Sequence, residues 1–276
     1  MSRIIRNGND PIGVFDSGLG GLTVVKELLR QLPYENIVYY GDTARVPYGT
    51  KSKESIIRFS MENVQALLKY RVKMIVVACN SSSSYALASL KKNFSLPIVG
   101  VISPGAKKAV AATKNNRVGI IATPATIKSQ QYVKHIQQEN PRVKVFAHAC
   151  PLFVPLVEEG WLNKKITFDI AEEYLRPLKK ARIDTLILGC THYPLLREVL
   201  QKVMGRGVIL IDSAKEVVLE VKNTLERMDQ HRQATKKVRH KFITTDKPQQ
   251  FQKIVNSFLG NKIKLTSRVV KLVTAP

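Results

Sequence analysis

The chain has 276 residues, 44% of them hydrophobic, which excludes an intrinsically disordered polypeptide and allows one large domain or two smaller ones. Its 44 Lys and Arg against 21 Asp and Glu give a formal charge of +23, an excess that attracts polyanions. Three widely separated cysteines with no C-x-x-C spacing exclude a disulfide framework, so reduced thiols are expected and the sequon at Asn80 carries no meaning.

The first residues, MSRIIRNGNDP, contain no apolar secretory core, and the apolar runs that follow are far short of a membrane span. A cytoplasmic protein with no membrane partner is expected. Along the chain, apolar runs alternate with amphipathic ones. IGVF (Ile12 to Phe15) precedes LTVVKELLRQL, and NIVYY (Asn36 to Tyr40) precedes SKESIIRFSMENVQALLKY. MIVVAC (Met74 to Cys79), PIVGV (Pro97 to Val101), RVGIIA (Arg117 to Ala122), KVFAHA (Lys144 to Ala149), TLILG (Thr185 to Gly189) and VILID (Val208 to Asp212) follow. The apolar runs read as buried strands and the amphipathic ones as helices, which predicts an α/β fold with parallel sheets.

A weak internal repeat runs through this order. PIGVFDSGLGGLTVVKEL resembles NRVGIIATPATIKSQQYV, and MIVVACNSSSS resembles LILGCTHYPLL, each pair falling one member in either half. Two pseudo-symmetric α/β halves are expected. Ligands bind beyond the carboxyl ends of parallel strands, so Asp16, Cys79, Thr123 and Cys190 fall at binding edges. Halves that face each other bring the two cysteines together across a cleft.

Two opposed thiols suit inversion of a stereocentre, in which one group removes a proton from one face while another delivers a proton to the opposite face. A free thiol is only a few per cent ionised at neutral pH, so each needs help from its surroundings. A helix N-terminus after the strand is expected to lower the thiol pKa. His192 on one side and Asp16 on the other are the candidate acid/base partners.

FDSGLGGLTV (Phe15 to Val24), YYGDTARVPYG (Tyr39 to Gly49), VACNSSS (Val77 to Ser83), CPLFVPLVEEG (Cys150 to Gly160) and LGCTHYPLL (Leu188 to Leu196) together resemble the cofactor-independent glutamate racemases of bacterial cell-wall synthesis. The resemblance implies interconversion of L- and D-glutamate for peptidoglycan, with Cys79 and Cys190 as the acid/base thiols, Asp16 and His192 assisting, and neither pyridoxal phosphate nor a metal. It places substrate contacts on Asp16, Ser17, Tyr48, Gly49, Asn80, Ser81, Thr123, Thr126, Thr191 and His192. It further implies a homodimer and two domains with the substrate between them, residues 1–103 plus 213–276 and residues 104–212. The boundaries fall at ISPG (Ile102 to Gly105) and IDSA (Ile211 to Ala214), which read as turns. Two departures stand out: Ser81 where the family usually has threonine, and Ala122 and Ala125 where it usually has glycine.

Several competing readings remain at this stage. Cys150 also follows an apolar run but has no ionisable residue after it, and reads as a buried structural thiol. A metal site from His148, Cys150, Cys190 and His192 has suitable ligand types but unusual spacing. GLGG at Gly18 to Gly21 fails the dinucleotide pattern because Thr23 occupies the third glycine position, and reads as a tight turn opening a helix. His135, His231 and His240 read as surface residues in helices or loops. The basic stretch Arg227 to Phe242 lacks interleaved aromatics, so a solvated surface is preferred to a nucleic-acid site. An aspartate or related racemase, or an added DNA- or gyrase-binding role, are the alternatives.

Overall fold

A computed structural model describes residues 7–232, 238–246, 249 and 266–267. The expected strands form two parallel sheets. The first contains β1 (Ile12–Asp16), β2 (Ile37–Gly41), β3 (Met74–Val77) and β4 (Ile98–Gly100), with β9 (His240–Thr244) and β10 (Thr266–Ser267) added late in the chain. Its order is β10-β9-β2-β1-β3-β4. The second contains β5 (Arg117–Ala122), β6 (Lys144–Ala149), β7 (Thr185–Gly189) and β8 (Ile209–Asp212) in the order β6-β5-β7-β8. Within the two sheets, β1 to β4 and β5 to β8 share one topology, which is the internal repeat made physical.

Side chains alternate across each strand, and both faces of each sheet are covered, which is why the strands read as unbroken apolar runs. In the first sheet Ile12, Val14, Val24, Leu28, Val217 and Val221 form one core, from β1 and the helices α1 (Leu22–Gln31) and α11 (Ser213–Arg227). On the other face Phe15, Ile75, Val77, Val64 and Leu90 pack the sheet on α2 (Lys53–Leu68), α3 (Asn80–Tyr85) and α4 (Leu87–Asn93). The second sheet repeats the plan. Val118, Ile120 and Ile187 meet α5 (Ile102–Ala112) and α7 (Gln131–Glu139), the latter preceded by the short α6 (Pro124–Lys128). Ile121, Leu186 and Leu188 meet α8 (Phe153–Glu158), α9 (Lys165–Lys180) and α10 (Arg197–Met204). α11 packs against both α1 and α5 and so joins the two halves.

Capping follows sequence in places. Ser52 Oγ accepts from the Ser55 amide at the start of α2, and Asp212 Oδ1 accepts from the Ala214 amide at the start of α11. ISPG is not a turn: Ile102 to Gly105 form the first turn of α5, where Pro104 is tolerated because the amides there have no intrahelical acceptor. His240 is likewise no loop residue. It opens β9, half-buried beside Ile37. His135 lies half-buried on α7 and His231 is exposed. Of the basic stretch, residues 233–237 lie outside the described residues. Among the described residues no helix is long and apolar enough to cross a membrane.

Candidate active site

In each sheet the chain places its second strand on one side of the first and its third strand on the other. The crevice opens where these connections part, at the carboxyl ends of β1 and β3 and of β5 and β7. Asp16 is the last residue of β1. The Ala78 amide, just past β3, donates to Phe15 O at 2.9 Å, and Cys79 then stands beside Ser17, its thiol donating to Ser17 Oγ at 3.7 Å. In the second sheet Ala122 pairs with Gly189, so Thr123 and Cys190 leave their strands side by side.

The two strand-end clusters meet. Thr191 Oγ1 donates to Asp16 Oδ1 at 3.4 Å, and Thr23 Oγ1 donates to the Thr191 carbonyl at 3.3 Å. Ser81 Oγ lies 3.0 Å from Thr123 Oγ1 and 3.4 Å from Thr126 Oγ1, and the two threonine hydroxyls are 3.1 Å apart. Backbone approach is equally close: a Cβ on Gly20 would overlap Thr191 and the His192 ring, and one on Gly49 would overlap the Thr123 side chain. Cys79 and Cys190 are 5% and 6% exposed, and Asp16, Ser17, Tyr48, Asn80, Ser81, Thr123, Thr126, Thr191 and His192 are buried with them. The strand-end residues of the two halves therefore stand against one another. Hydroxyls there come from both halves.

The two thiols sit in different fields. Cys79 is the N-cap of α3, a position expected to lower its pKa, yet its thiol is pushed up to about 11. Burial is the main cause and the Asp16 charge the next. The Ser82 amide and the hydroxyls of Ser17 and Ser82 oppose them without prevailing. Asp16 is itself raised from its ordinary value by burial, against the pull of His192, the Gly18 and Gly21 amides and Thr191. His192 Nδ1 lies 3.8 Å from Cys190 Sγ, and its Nε2 lies 3.2 Å from Glu158 Oε1. Burial would lower the imidazole pKa, but bonds to Cys190 and Glu158 and the charges of Cys190 and Asp16 outweigh it and raise it to about 10. These partners favour the protonated imidazole beside the Cys190 sulfur.

The role of Glu158, within CPLFVPLVEEG, is visible only in the fold. Its chemistry depends on a partner 34 positions away, and nothing local marks it above Glu159. A second missed group holds Tyr48, whose hydroxyl donates to Asp42 and accepts from Asn63 Nδ2 at 3.1 Å. Asp42 also accepts from Arg45 Nε at 2.6 Å and from Thr245 Oγ1 at 3.2 Å. Tyr48 thus packs with Cys79 and Ala125 in one buried cluster. Ala122 and Ala125, the two alanine departures, are both buried. Cys150 is buried in the core of the second half, its thiol pKa driven up by burial. Among the described residues no group of three or more His, Cys, Asp or Glu side chains is placed to hold a metal ion.

The model of the Asp/Glu/hydantoin racemase family matches residues 12–221. A glutamate racemase of Geobacter metallireducens is 48% identical over 252 residues, 91% of this chain and 93% of that protein. Among solved structures, a glutamate racemase isoform from Bacillus anthracis superimposes with a TM-score of 0.92 at 39% identity, covering 96% of this chain and 98% of the other. The glutamate racemase of Francisella tularensis, solved in complex with D-glutamate, has a TM-score of 0.89 at 38% identity, covering 97% of this chain and 100% of the other.

Proposed function

Because the chain belongs to the Asp/Glu/hydantoin racemase family, we propose that it interconverts L- and D-glutamate by proton transfer between two cysteines. The observation that carries this reading is that Cys79 and Cys190, at equivalent strand ends of the two sheets, are both buried next to residues that bond across the halves, Ser81 to Thr123 and Thr191 to Asp16. One sulfur, as thiolate, takes the Cα proton from one face of glutamate, and the other thiol gives its proton to the opposite face. The reaction ends with the two protonation states exchanged, and the reverse passage starts from the other enantiomer. His192, held by Glu158, places its charge beside Cys190 and stabilises a thiolate there. Asp16 serves the Cys79 side in this reading, its charge acting on that thiol while its Oδ1 accepts from Thr191. The hydroxyls of Ser81, Thr123, Thr126 and Thr191, with the Asn80 amide, supply donors for two carboxylates.

The reading takes residues 1–103 plus 213–276 as one domain and 104–212 as the other. It includes a cytoplasmic homodimer supplying D-glutamate for peptidoglycan, checked by light scattering and by D-glutamate dependence of a deletion strain. Circular dichroism of L-glutamate incubated with the purified chain, with a chelator and without pyridoxal phosphate, tests the activity. The expected result is decay of the signal to the racemate, with L-aspartate turned over far more slowly. Loss of turnover in chelator that zinc restores, or a preference for aspartate, would overturn it.

A further inference from the structure

Asn80, next in sequence to Cys79, is 3% exposed, and its Nδ2 is sealed from solvent with no hydrogen-bond partner among the described residues. Burying an amide donor unpaired is unfavourable, so beside Cys79 this donor is one that a ligand can satisfy. The other end of the same amide is occupied: the Tyr132 hydroxyl donates to Asn80 Oδ1 at 2.8 Å. Asn80 opens α3, which covers the first sheet, and Tyr132 lies on α7, which covers the second. The bond therefore crosses between the two halves.

Tyr132 is itself fixed. It is 2% exposed and packs with Ile102, Ala106 and Ile136. Its ring runs against the end of β7, where a Cβ on Gly189 would come 3.2 Å from the ring edge and 2.9 Å from the Ile121 carbonyl, so the residue before Cys190 leaves just the room the ring needs. Burial raises the phenol pKa, and the charges of Cys190 and Asp212 raise it further against a hydrogen bond from Ser213, so the hydroxyl keeps its proton. One side chain thus touches the residue after the first thiol and the residue before the second. A primary amide turned by half a rotation exchanges its donor and acceptor ends. With the acceptor end toward the site, Asn80 would repel a carboxylate. With the donor end there, it binds one.

We propose that Tyr132 is a positioning residue for substrate binding: its hydroxyl, reaching across the seam between the halves, holds the Asn80 amide so that Nδ2 is the end offered to a glutamate carboxylate. The proposal rests on the glutamate reading of the site. It makes the carboxylate donor next to Cys79 conditional on α7 being seated, and so couples substrate binding to the docking of the two halves.

Tyr132→Phe keeps the ring and removes only the hydroxyl. Expected is a KM for both glutamate enantiomers raised about tenfold or more, with kcat within about threefold and the thermal midpoint close to that of the parent. Asn80→Ala should raise KM at least as far, and the double variant should be no worse than Asn80→Ala alone, because the hydroxyl acts only through the amide. Asn80→Asp leaves Tyr132 an oxygen to bond but replaces the free donor by an acceptor, so it should bind glutamate more weakly than Asn80→Ala. That arm needs no change at Tyr132 and decides the matter if the phenylalanine variant does not fold. In a parent that racemises glutamate, an unchanged KM in Tyr132→Phe, additive effects in the double variant, or glutamate binding by Asn80→Asp as strong as by Asn80 would overturn the lock. A parent with no glutamate turnover overturns the substrate assignment, and the lock with it.

Discussion

Cys79 and Cys190 follow corresponding strands, β3 and β7, each beside the central strand of its own sheet. Around Cys79 stand Ser17, Ser82 and the carboxylate of Asp16, and burial with that carboxylate holds the thiol protonated. Around Cys190 stands an imidazole whose raised pKa keeps it charged, backed by Glu158 on the solvent side. The repeated backbone puts the two sulfurs in equivalent places. The side chains beside them do not repeat, a carboxylate near one and an imidazole near the other, and a symmetric fold therefore presents an asymmetric pair.

The comparison breaks most visibly at the sulfurs. Cys79→Ser and Cys190→Ser each substitute a far weaker acid and should lower racemisation by roughly 10²–10⁴-fold, measured by circular dichroism. Each variant retains one thiol and should still eliminate a leaving group from a 3-substituted glutamate, the two preferring opposite enantiomers. Cys150→Ser, in the core and away from the hydroxyls, should keep most activity. Near-parental racemisation by either catalytic variant would end the paired-thiol account.

Removing the charge on one side sharpens the contrast. His192→Asn should slow the direction served by Cys190 by about tenfold or more and the opposite elimination much less, with Glu158→Gln acting in the same direction more weakly. Equal losses at both thiols would mean that the imidazole serves the whole site. A smaller change tests the hydroxyl seam. Ser81→Ala removes a donor worth roughly 1.5–3 kcal/mol to a charged partner and should raise KM, whereas Ser81→Thr keeps the hydroxyl and should change it only modestly. A silent Ser81→Ala would remove Ser81 from the substrate contacts.

A separate effect is on stability. His192 binds its proton more tightly folded, at about pH 10, than at its ordinary value of 6.5. Its contribution to stability is therefore complete below about pH 6.5 and is lost as pH rises toward 10. Between pH 6.5 and 9 the thermal midpoint of the parent should fall more steeply than that of His192→Asn. Parallel curves would show that the imidazole is not held charged.

Eight of the strands were legible because sheets covered on both faces leave continuous apolar runs. β9 was not, because HKFIT has only two adjacent apolar residues, Phe242 and Ile243, and follows a run of cations, and only its pairing with β2 from Ile37↔His240 to Gly41↔Thr244 makes it a strand. The site residues at strand ends were legible from topology alone, since Asp16, Cys79, Thr123 and Cys190 need no distant information. Glu158, Asp42 and Tyr132 act through partners on other elements, and no local pattern carries that. The pKa of Cys79 was misjudged for the same reason: a helix N-terminus is visible in sequence, whereas burial and the neighbouring carboxylate are not.

The close passage of Gly20 against Thr191 and His192, and of Gly49 against Thr123, leaves no clearance between the halves along two edges of the site. A glutamate molecule has no way in or out past those edges while they touch. If substrate enters past them, a turnover contains a parting of the halves as well as the proton transfers, and whichever is slower sets kcat. The contacts along those two edges are glycines, hydroxyls and the His192 ring, while apolar packing joins the halves at Tyr48, Cys79 and Ala125 and where α11 lies against both α1 and α5. Bulk viscosity would then be a brake on the enzyme, and a side chain at position 20 a doorstop.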